Sequence, residues 1–332
     1  MGSNHPIYII AEIGANHNRD LKIAKTLIDK AAEAGVNAVK FQTYKAENLY
    51  SKNAPKFSKD EVNPFDLIKA NELPREWHRE LFTYALNKKL HFLSSPFDYE
   101  AVNDLDAVGV PAFKVASFEL IDLGLLKHIA QKKKPILLSV GLATLGEIEE
   151  ALHTIRSQGN NDIALLHCAS LYPAPVETVN LNAIQTLSKA FQIPIGFSDH
   201  TLGIHIAVAA VAKGACIIEK HFTLDRTMKG PDHSFAIEPE ELKQLVRNIR
   251  DVENAMGTGV KLRSSAEQEM YEKGRRSIIA AQDIKKGAKI ERDWLIVKRP
   301  GYGIKPKYLE MVIGRTAKRD IKADEWITWD DI

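Results

Sequence analysis

Between residues 7 and 256 the chain alternates short β-branched or apolar runs with longer helix-patterned segments, eight times over. No other feature restricts the fold as much. The strand-like runs fall at residues 7–14, 38–44, 91–97, 112–117, 135–141, 162–170, 194–200 and 216–222, and a helix-like stretch follows each. Residues 20–35 show the helical signals plainly: Asp20 as cap, apolar positions at Leu21, Ala24, Leu27, Ile28 and Ala31, and a closing Gly35. Strict βα alternation of this kind predicts a closed (β/α)8 TIM barrel of the α/β class, with an open doubly wound sheet as the alternative. No Gly-x-Gly-x-x-Gly turn follows the first run, which weakens the nucleotide-binding version of that alternative.

The texture changes beyond Gly257-Thr-Gly259, where turns such as Lys286-Gly287 and the segment Lys298-Arg-Pro-Gly-Tyr-Gly303 replace helical periodicity. The expected organisation is a barrel over 1–260, a linker over 261–274 and a small, mainly β domain over 275–332. Within that domain Ala280-Ala-Gln-Asp-Ile-Lys285 returns as Ala317-Lys-Arg-Asp-Ile-Lys322, and an Ile follows each Asp by 7 residues, at Ile290 and Ile327. A repeat with a period of 37 residues predicts a two-fold-like β framework. The polar stretch 44–71 reads as a long irregular loop after the second strand, placed to cover part of the barrel mouth.

Bulk properties exclude several classes. With 45 basic and 43 acidic residues the formal charge is +2, so no polyelectrolyte surface invites nucleic acid, and an anion has to be held locally. No apolar run reaches the ~18 residues of a membrane span, and the start has no signal-peptide stretch, so the expected location is the cytoplasm. Cys168 and Cys216, the two cysteines, sit in apolar runs and read as unpaired thiols.

The strand ends carry the chemistry. Ile195-Gly-Phe-Ser-Asp-His200 and Cys216-Ile-Ile-Glu-Lys-His221 each end on a histidine, 21 residues apart, which is one βαβ step. In adjacent barrel strands the two imidazoles stand side by side at the carboxyl ends, as a pair of metal ligands would. Alternation puts Ser198 on the face of His200, and Glu219 on that of His221. Further polar residues reach the same end: Glu12, Lys40, Gln42, Ser95, Lys114, Ser117, Glu119, Ser139, Ser170 and Tyr172. Buried lysines need anions, so Lys40 and Lys114 are matched either by internal partners such as Glu12 or Glu119, or by a bound anion. Two lysines, several serines and a divalent ion suit a small substrate with phosphate and carboxylate, and phosphoenolpyruvate is such a molecule. Asp232 and His233, in Gly230-Pro-Asp-His233, either reach the mouth from above or sit in a solvated turn.

Read in order, Ala11-Glu-Ile-Gly-Ala-Asn-His17, Ala38-Val-Lys-Phe-Gln42, Phe113-Lys-Val-Ala-Ser117, Phe197-Ser-Asp-His-Thr201, Ile218-Glu-Lys-His-Phe222 and Gly230-Pro-Asp-His233 resemble the sialic acid synthase family of nonulosonate synthases over nearly the whole chain. The tail resembles that family's antifreeze-protein-like (SAF) domain. The resemblance implies a metal-assisted, water-dependent condensation of phosphoenolpyruvate with the open-chain aldehyde of an N-acylated mannosamine-type sugar, releasing phosphate by C–O cleavage. It implies that His200 and His221 hold the metal, Mn2+ first, with Mg2+ or Co2+ as alternatives. Lys40, Ser95, Lys114, Ser117, Ser139 and Ser198 would then bind phosphoenolpyruvate. Glu12 would act as a catalytic acid or base, together with the two histidines. Gln42, Ser170, Tyr172, Asp232 and Arg299 would contact the sugar, with Glu119 and Glu219 in support. It also implies a domain-swapped homodimer in which Arg299 of one subunit serves the barrel of the other, while Arg275 and Arg276 are weaker candidates for that task. N-acetylneuraminate synthase leads, N,N'-diacetyllegionaminate or another nonulosonate synthase is the alternative, and a keto-deoxy sugar acid phosphate synthase is more remote. Ser170 stands where such synthases often carry Asn, which keeps the acceptor open. A non-catalytic carbohydrate-binding or coat protein is the competing class.

Overall fold

Eight parallel strands are found where the alternation places them, in a computed structural model that describes residues 5–56 and 62–332. They are β1 (Tyr8–Gly14), β2 (Ala38–Thr43), β3 (His91–Pro96), β4 (Phe113–Val115), β5 (Ile136–Ser139), β6 (Ile163–His167), β7 (Ile195–Asp199) and β8 (Ile217–His221). Hydrogen-bonded neighbours run in the order β3-β2-β1-β8-β7-β6-β5-β4, and β3 and β4 lie side by side at the seam, giving a nearly closed barrel.

Chain 1–257 forms one compact unit and 258–332 a second. Two apolar layers hold the first. Ile10, Ala38, Leu93, Leu137, Ala164 and Ile217 fill the barrel's interior, while the larger cluster, including Ile9, Val39, Phe41, Phe92, Leu165 and Ile218, packs between strands and helices. Helix α1 (Leu21–Ala34) shows how the sequence builds that outer layer. Asp20 accepts hydrogen bonds from the Lys22 and Ile23 amides, Ala24, Leu27, Ile28 and Ala31 are buried, and Gly35 closes the helix at φ 81°.

The polar stretch after β2 is less irregular than expected. It contains α2 (Ala46–Leu49) and α3 (Pro64–Asn71), while 57–61 lies outside the described residues. Asn63 caps α3 by accepting from the Phe65 amide, and Pro64 occupies the first helical position. That Asn-Pro start is a helix signal the loop reading passed over.

The second unit bears out the repeat. Ile284 and Ile321 pair in an antiparallel bridge, and Ile284, Ile290, Ile321 and Ile327 share one core. Its hydrogen bonds come in copies related by the same 37-residue shift: Asp320 accepts from the Lys286 amide and from Lys285 Nζ, and Asp283 from the Ala323 amide and Lys322 Nζ. The pattern is a local two-fold. Strands β9 (Ser277–Ala280) and β10 (Leu295–Lys298) form its antiparallel sheet. The stretch expected as a linker contains the helix Gln268–Gly274 and belongs to this unit. Among the described residues no helix is long and apolar enough to cross a membrane.

Candidate active site

Alternation along each strand produces the site. Residues sharing a face are two apart, and on six strands the interior row begins apolar and ends polar: Ile10 leads to Glu12, Ala38 to Lys40, Leu93 to Ser95, Ala112 to Lys114, Leu137 to Ser139, and Ile217 to Glu219 and His221, while on β6 it stays apolar through Ala164 and Leu166. On β7 the row starts with Gly196. A Cβ there would lie 2.7 Å from Ile217 Cβ and 2.8 Å from its carbonyl oxygen, so the barrel floor leaves no room for a side chain. The polar ring therefore sits on a packed apolar plug.

Its centre is two lysines around one shared carboxylate, that of Glu219. Lys40 Nζ is 2.7 Å from Glu12 Oε2 and 3.8 Å from Glu219 Oε1, while Lys114 Nζ is 3.7 Å from that same Glu219 oxygen. All four side chains are buried. Lys40 also donates to Ser95 Oγ at 3.3 Å, Lys114 to Ser139 Oγ at 2.7 Å, and Ser198 to Glu219 Oε1 at 2.9 Å. Burial acts against charge on Glu219, but the two ammonium groups outweigh it and hold the carboxyl below its usual range. Glu12 goes the other way. Desolvation and the nearby Glu219 push it up to about 7 despite Lys40, and Gln42 Nε2 donates to its Oε1 at 2.9 Å.

The histidine pair stands above these lysines. His200 follows β7 directly, His221 ends β8, and their ring centres are 5.5 Å apart. His200 Nδ1–H donates to the Ala169 carbonyl at 2.7 Å, which leaves the Nε2 lone pair available, 3.5 Å from Ser198 Oγ. His221 Nδ1 is buried without a hydrogen-bond partner, 3.6 Å from Asp232 Oδ2. Desolvation lowers His200 to about 4 and His221 well below its ordinary value, so both rings are neutral at physiological pH. Among the described residues no three His, Cys, Asp or Glu side chains converge on one point. Two neutral imidazoles with free lone pairs nevertheless fit a divalent ion that takes its remaining ligands from oxygen donors.

Other expected residues divide into groups. Tyr172 packs on His200 at 4.3 Å between ring centres. Asp232 also reaches the mouth, accepting from the Ala15 amide at 3.3 Å, and burial pushes its carboxyl up to about 6. Ser117 and Ser170 meet over Gly141: a Cβ on that glycine would lie 2.4 Å from Ser170 Oγ, 2.7 Å from Cys168 Sγ and 3.0 Å from Ser117 Oγ. Ser170 Oγ has no hydrogen-bond partner. Glu119 does not bridge a lysine. It follows β4 in a short 3-10 turn with Oε2 unpartnered, pushed up to about 7 by burial, and Glu219 takes the role expected of both. Arg299 lies in the second unit, in a cleft with Arg263, Tyr271 and Arg275.

Three features escaped the sequence reading. Phe235 walls the pair, 4.9 Å from the His221 ring and 5.6 Å from Tyr172. His233 is fully buried rather than solvated, bonded through Nδ1 to Thr223 Oγ1 (2.6 Å) and through Nε2 to Asn18 Oδ1 (3.0 Å). Behind the mouth, Lys220 and Asp199 form a buried ion pair at 2.8 Å. That last pair had a signal: alternation turns both outward, and a lysine on the outer face of a barrel strand requires a counter-charge.

Comparison with known proteins identifies the family. Residues 27–261 match the NeuB family and residues 275–332 the SAF domain. N,N'-diacetyllegionaminic acid synthase of Campylobacter jejuni is 46% identical over 96% of this chain and 98% of its own length. Human N-acetylneuraminate-9-phosphate synthase is 36% identical over 98% and 93%. The crystal structure of N-acetylneuraminic acid synthetase from Leptospira borgpetersenii serovar Hardjo-bovis, in complex with citrate, is 38% identical with a TM-score of 0.75, covering 82% of this chain and 92% of that one. The chain, a barrel with an appended SAF domain, thus belongs to the NeuB family, the sialic acid synthase family of nonulosonate synthases.

Proposed function

We propose that the protein condenses phosphoenolpyruvate with the open-chain aldehyde of an N-acylated mannosamine-type sugar to give a nine-carbon 2-keto acid and phosphate. The observation that carries this reading is the pair Lys40 and Lys114, two buried ammonium groups straddling the single Glu219 carboxylate and walled by Ser95, Ser139 and Ser198. Such a floor suits a compact substrate carrying both phosphate and carboxylate. In the reaction the methylene carbon of phosphoenolpyruvate bonds to the aldehyde carbon, water adds at its C2, and the C–O bond to phosphate breaks. Glu12, already near neutrality, is the proton carrier: an arriving anion raises it further, so it enters the reaction protonated and gives its proton to the developing alkoxide. His200 and His221 would hold a divalent ion, Mn2+ first, which would supply Lewis-acid polarisation of the aldehyde. Tyr172, Asp232 and Gln42 line the acceptor side, and Arg299 of a second subunit completes it.

For the acceptor we favour a 2,4-diacetamido-6-deoxy hexose over N-acetylmannosamine. Supporting this are the name of the Campylobacter relative and the small Ser170, whose hydroxyl is unpartnered. A panel of both sugars and arabinose 5-phosphate, incubated with phosphoenolpyruvate and Mn2+ and followed by mass analysis, decides. A product acid from the diacetamido sugar supports the reading. Turnover with arabinose 5-phosphate alone overturns it.

A further inference from the structure

Lys220 and Asp199 stand immediately beside the two histidines, on the opposite face of the same strands. Lys220 precedes His221 on β8, and Asp199 ends β7 just before His200. Their side chains leave the mouth and meet behind it, 2.8 Å apart, with at most 1% of either exposed. Lys220 Nζ donates a second hydrogen bond, at 2.5 Å, to the Thr201 carbonyl. Asp199 Oδ1 accepts from the Thr201 amide (2.9 Å) and its hydroxyl (2.8 Å). The backbone on both sides of His200 is thereby tied to the residue next to His221, and the His200 carbonyl itself accepts from the Ala174 amide at 2.9 Å.

Stability alone is a poor reason for this arrangement. A buried ion pair is commonly matched or surpassed by apolar side chains of similar volume, because desolvating both charges cancels their attraction. What it supplies is geometry. Apolar packing tolerates sliding between strands, whereas a charge with three fixed partners does not. The ladder between β7 and β8 ends at Asp199 and Lys220, so His200 lies past the last backbone register. Beyond the ladder it is held by the Ala174 amide, by its own bond to the Ala169 carbonyl and by the side chains tied to Thr201.

We infer that the Lys220–Asp199 pair is a positioning device that sets the spacing of His200 and His221 for a shared divalent ion. The inference rests on the reading in which those two histidines ligate the metal. Neither Lys220 nor Asp199 touches substrate or ion; they act through the peptide around His200. Loss of such outer support weakens metal sites 10–100-fold in affinity.

The test is direct Mn2+ binding to the metal-free full-length protein, read from the electron paramagnetic resonance of free Mn2+, with circular dichroism and Tm in parallel. Lys220→Met removes the charge and keeps the length, and Asp199→Asn retains the bonds to Thr201 while removing the charge. The expected result is a Kd raised 10–100-fold in a folded variant, which a purely structural pair, lowering Tm alone, does not produce. Mn2+ affinity within twofold of the parent in either folded variant overturns the inference and leaves the ligand assignment intact. Unfolding of both variants overturns it too, since the pair then serves the fold. A parent that binds no Mn2+ overturns both the inference and the ligand assignment.

Discussion

His78 gives a quantitative handle on the barrel that is independent of the metal. It is 2% exposed, its Nε2 lies 3.1 Å from Thr43 Oγ1, and Thr43 in turn bonds Ser94 at 2.7 Å. Burial lowers it from 6.5 to about 4. Below pH 6.5 the unfolded chain takes up a proton at this residue and the native state does not, so stability is lost as pH falls from 6.5 towards 4. Each unit of separation corresponds to ~1.4 kcal/mol, so the loss between pH 7 and pH 5 is ~2 kcal/mol. The whole protein does not show this slope cleanly. His17 and His200, also lowered to about 4, add to it, while Glu12 and Glu119 near 7 and Asp232 near 6 are raised and gain stability over the same interval. A difference measurement isolates it. His78→Gln removes a buried hydrogen bond and costs ~1–3 kcal/mol at pH 7. Because Gln does not titrate, the cost shrinks by ~2 kcal/mol at pH 5. Urea unfolding of parent and variant at the two pH values, followed by circular dichroism, reads this directly. A cost independent of pH refutes a neutral, buried His78.

Other consequences are simpler to check. Lys114→Met removes a charged contact and leaves Glu219 with one ammonium; the KM for phosphoenolpyruvate should rise about 10–100-fold, in line with ~1.5–3 kcal/mol for a charge-assisted bond, and steady-state kinetics measure it. Gly141→Ala puts a methyl into contact with three heteroatoms, so ~1–3 kcal/mol of overpacking is expected in urea unfolding, and Ser170→Ala in the same chain should relieve part of it. In the second unit, Asp283→Ala and Asp320→Ala should lower Tm by equal amounts, because each removes the same pair of contacts at repeat-related positions; an effect confined to one of them would contradict the two-fold.

Much of this was legible in the sequence because a barrel strand encodes its two faces by parity. Once β7 and β8 are placed, Ser198 and Glu219 must join the histidines, and the observed 2.9 Å bond between them follows. The SAF repeat was readable for a similar reason, since equivalent residues recur at a fixed interval and pair with each other. What stayed hidden depends on loops. Parity says nothing of Glu119, which lies past the end of β4 in a 3-10 turn. Nor does it place Phe235 against His221, because that contact depends on how 225–235 folds back after β8, fixed by the buried His233 between Thr223 and Asn18. The choice of Glu219 over Glu119 as the lysines' common partner is three-dimensional: β8 brings it to 3.7–3.8 Å from both.

A phosphoenolpyruvate condensation carried out beneath a histidine-held metal needs both the sugar and the ion. Phosphate release should therefore be followed with phosphoenolpyruvate and the diacetamido sugar, with Mn2+ or with chelator, in the parent and in His221→Ala. Phosphate and nine-carbon acid are expected in equal amounts only when sugar and metal are both present, and none from the folded variant. Phosphate release that continues undiminished in chelator, or in His221→Ala, would contradict it.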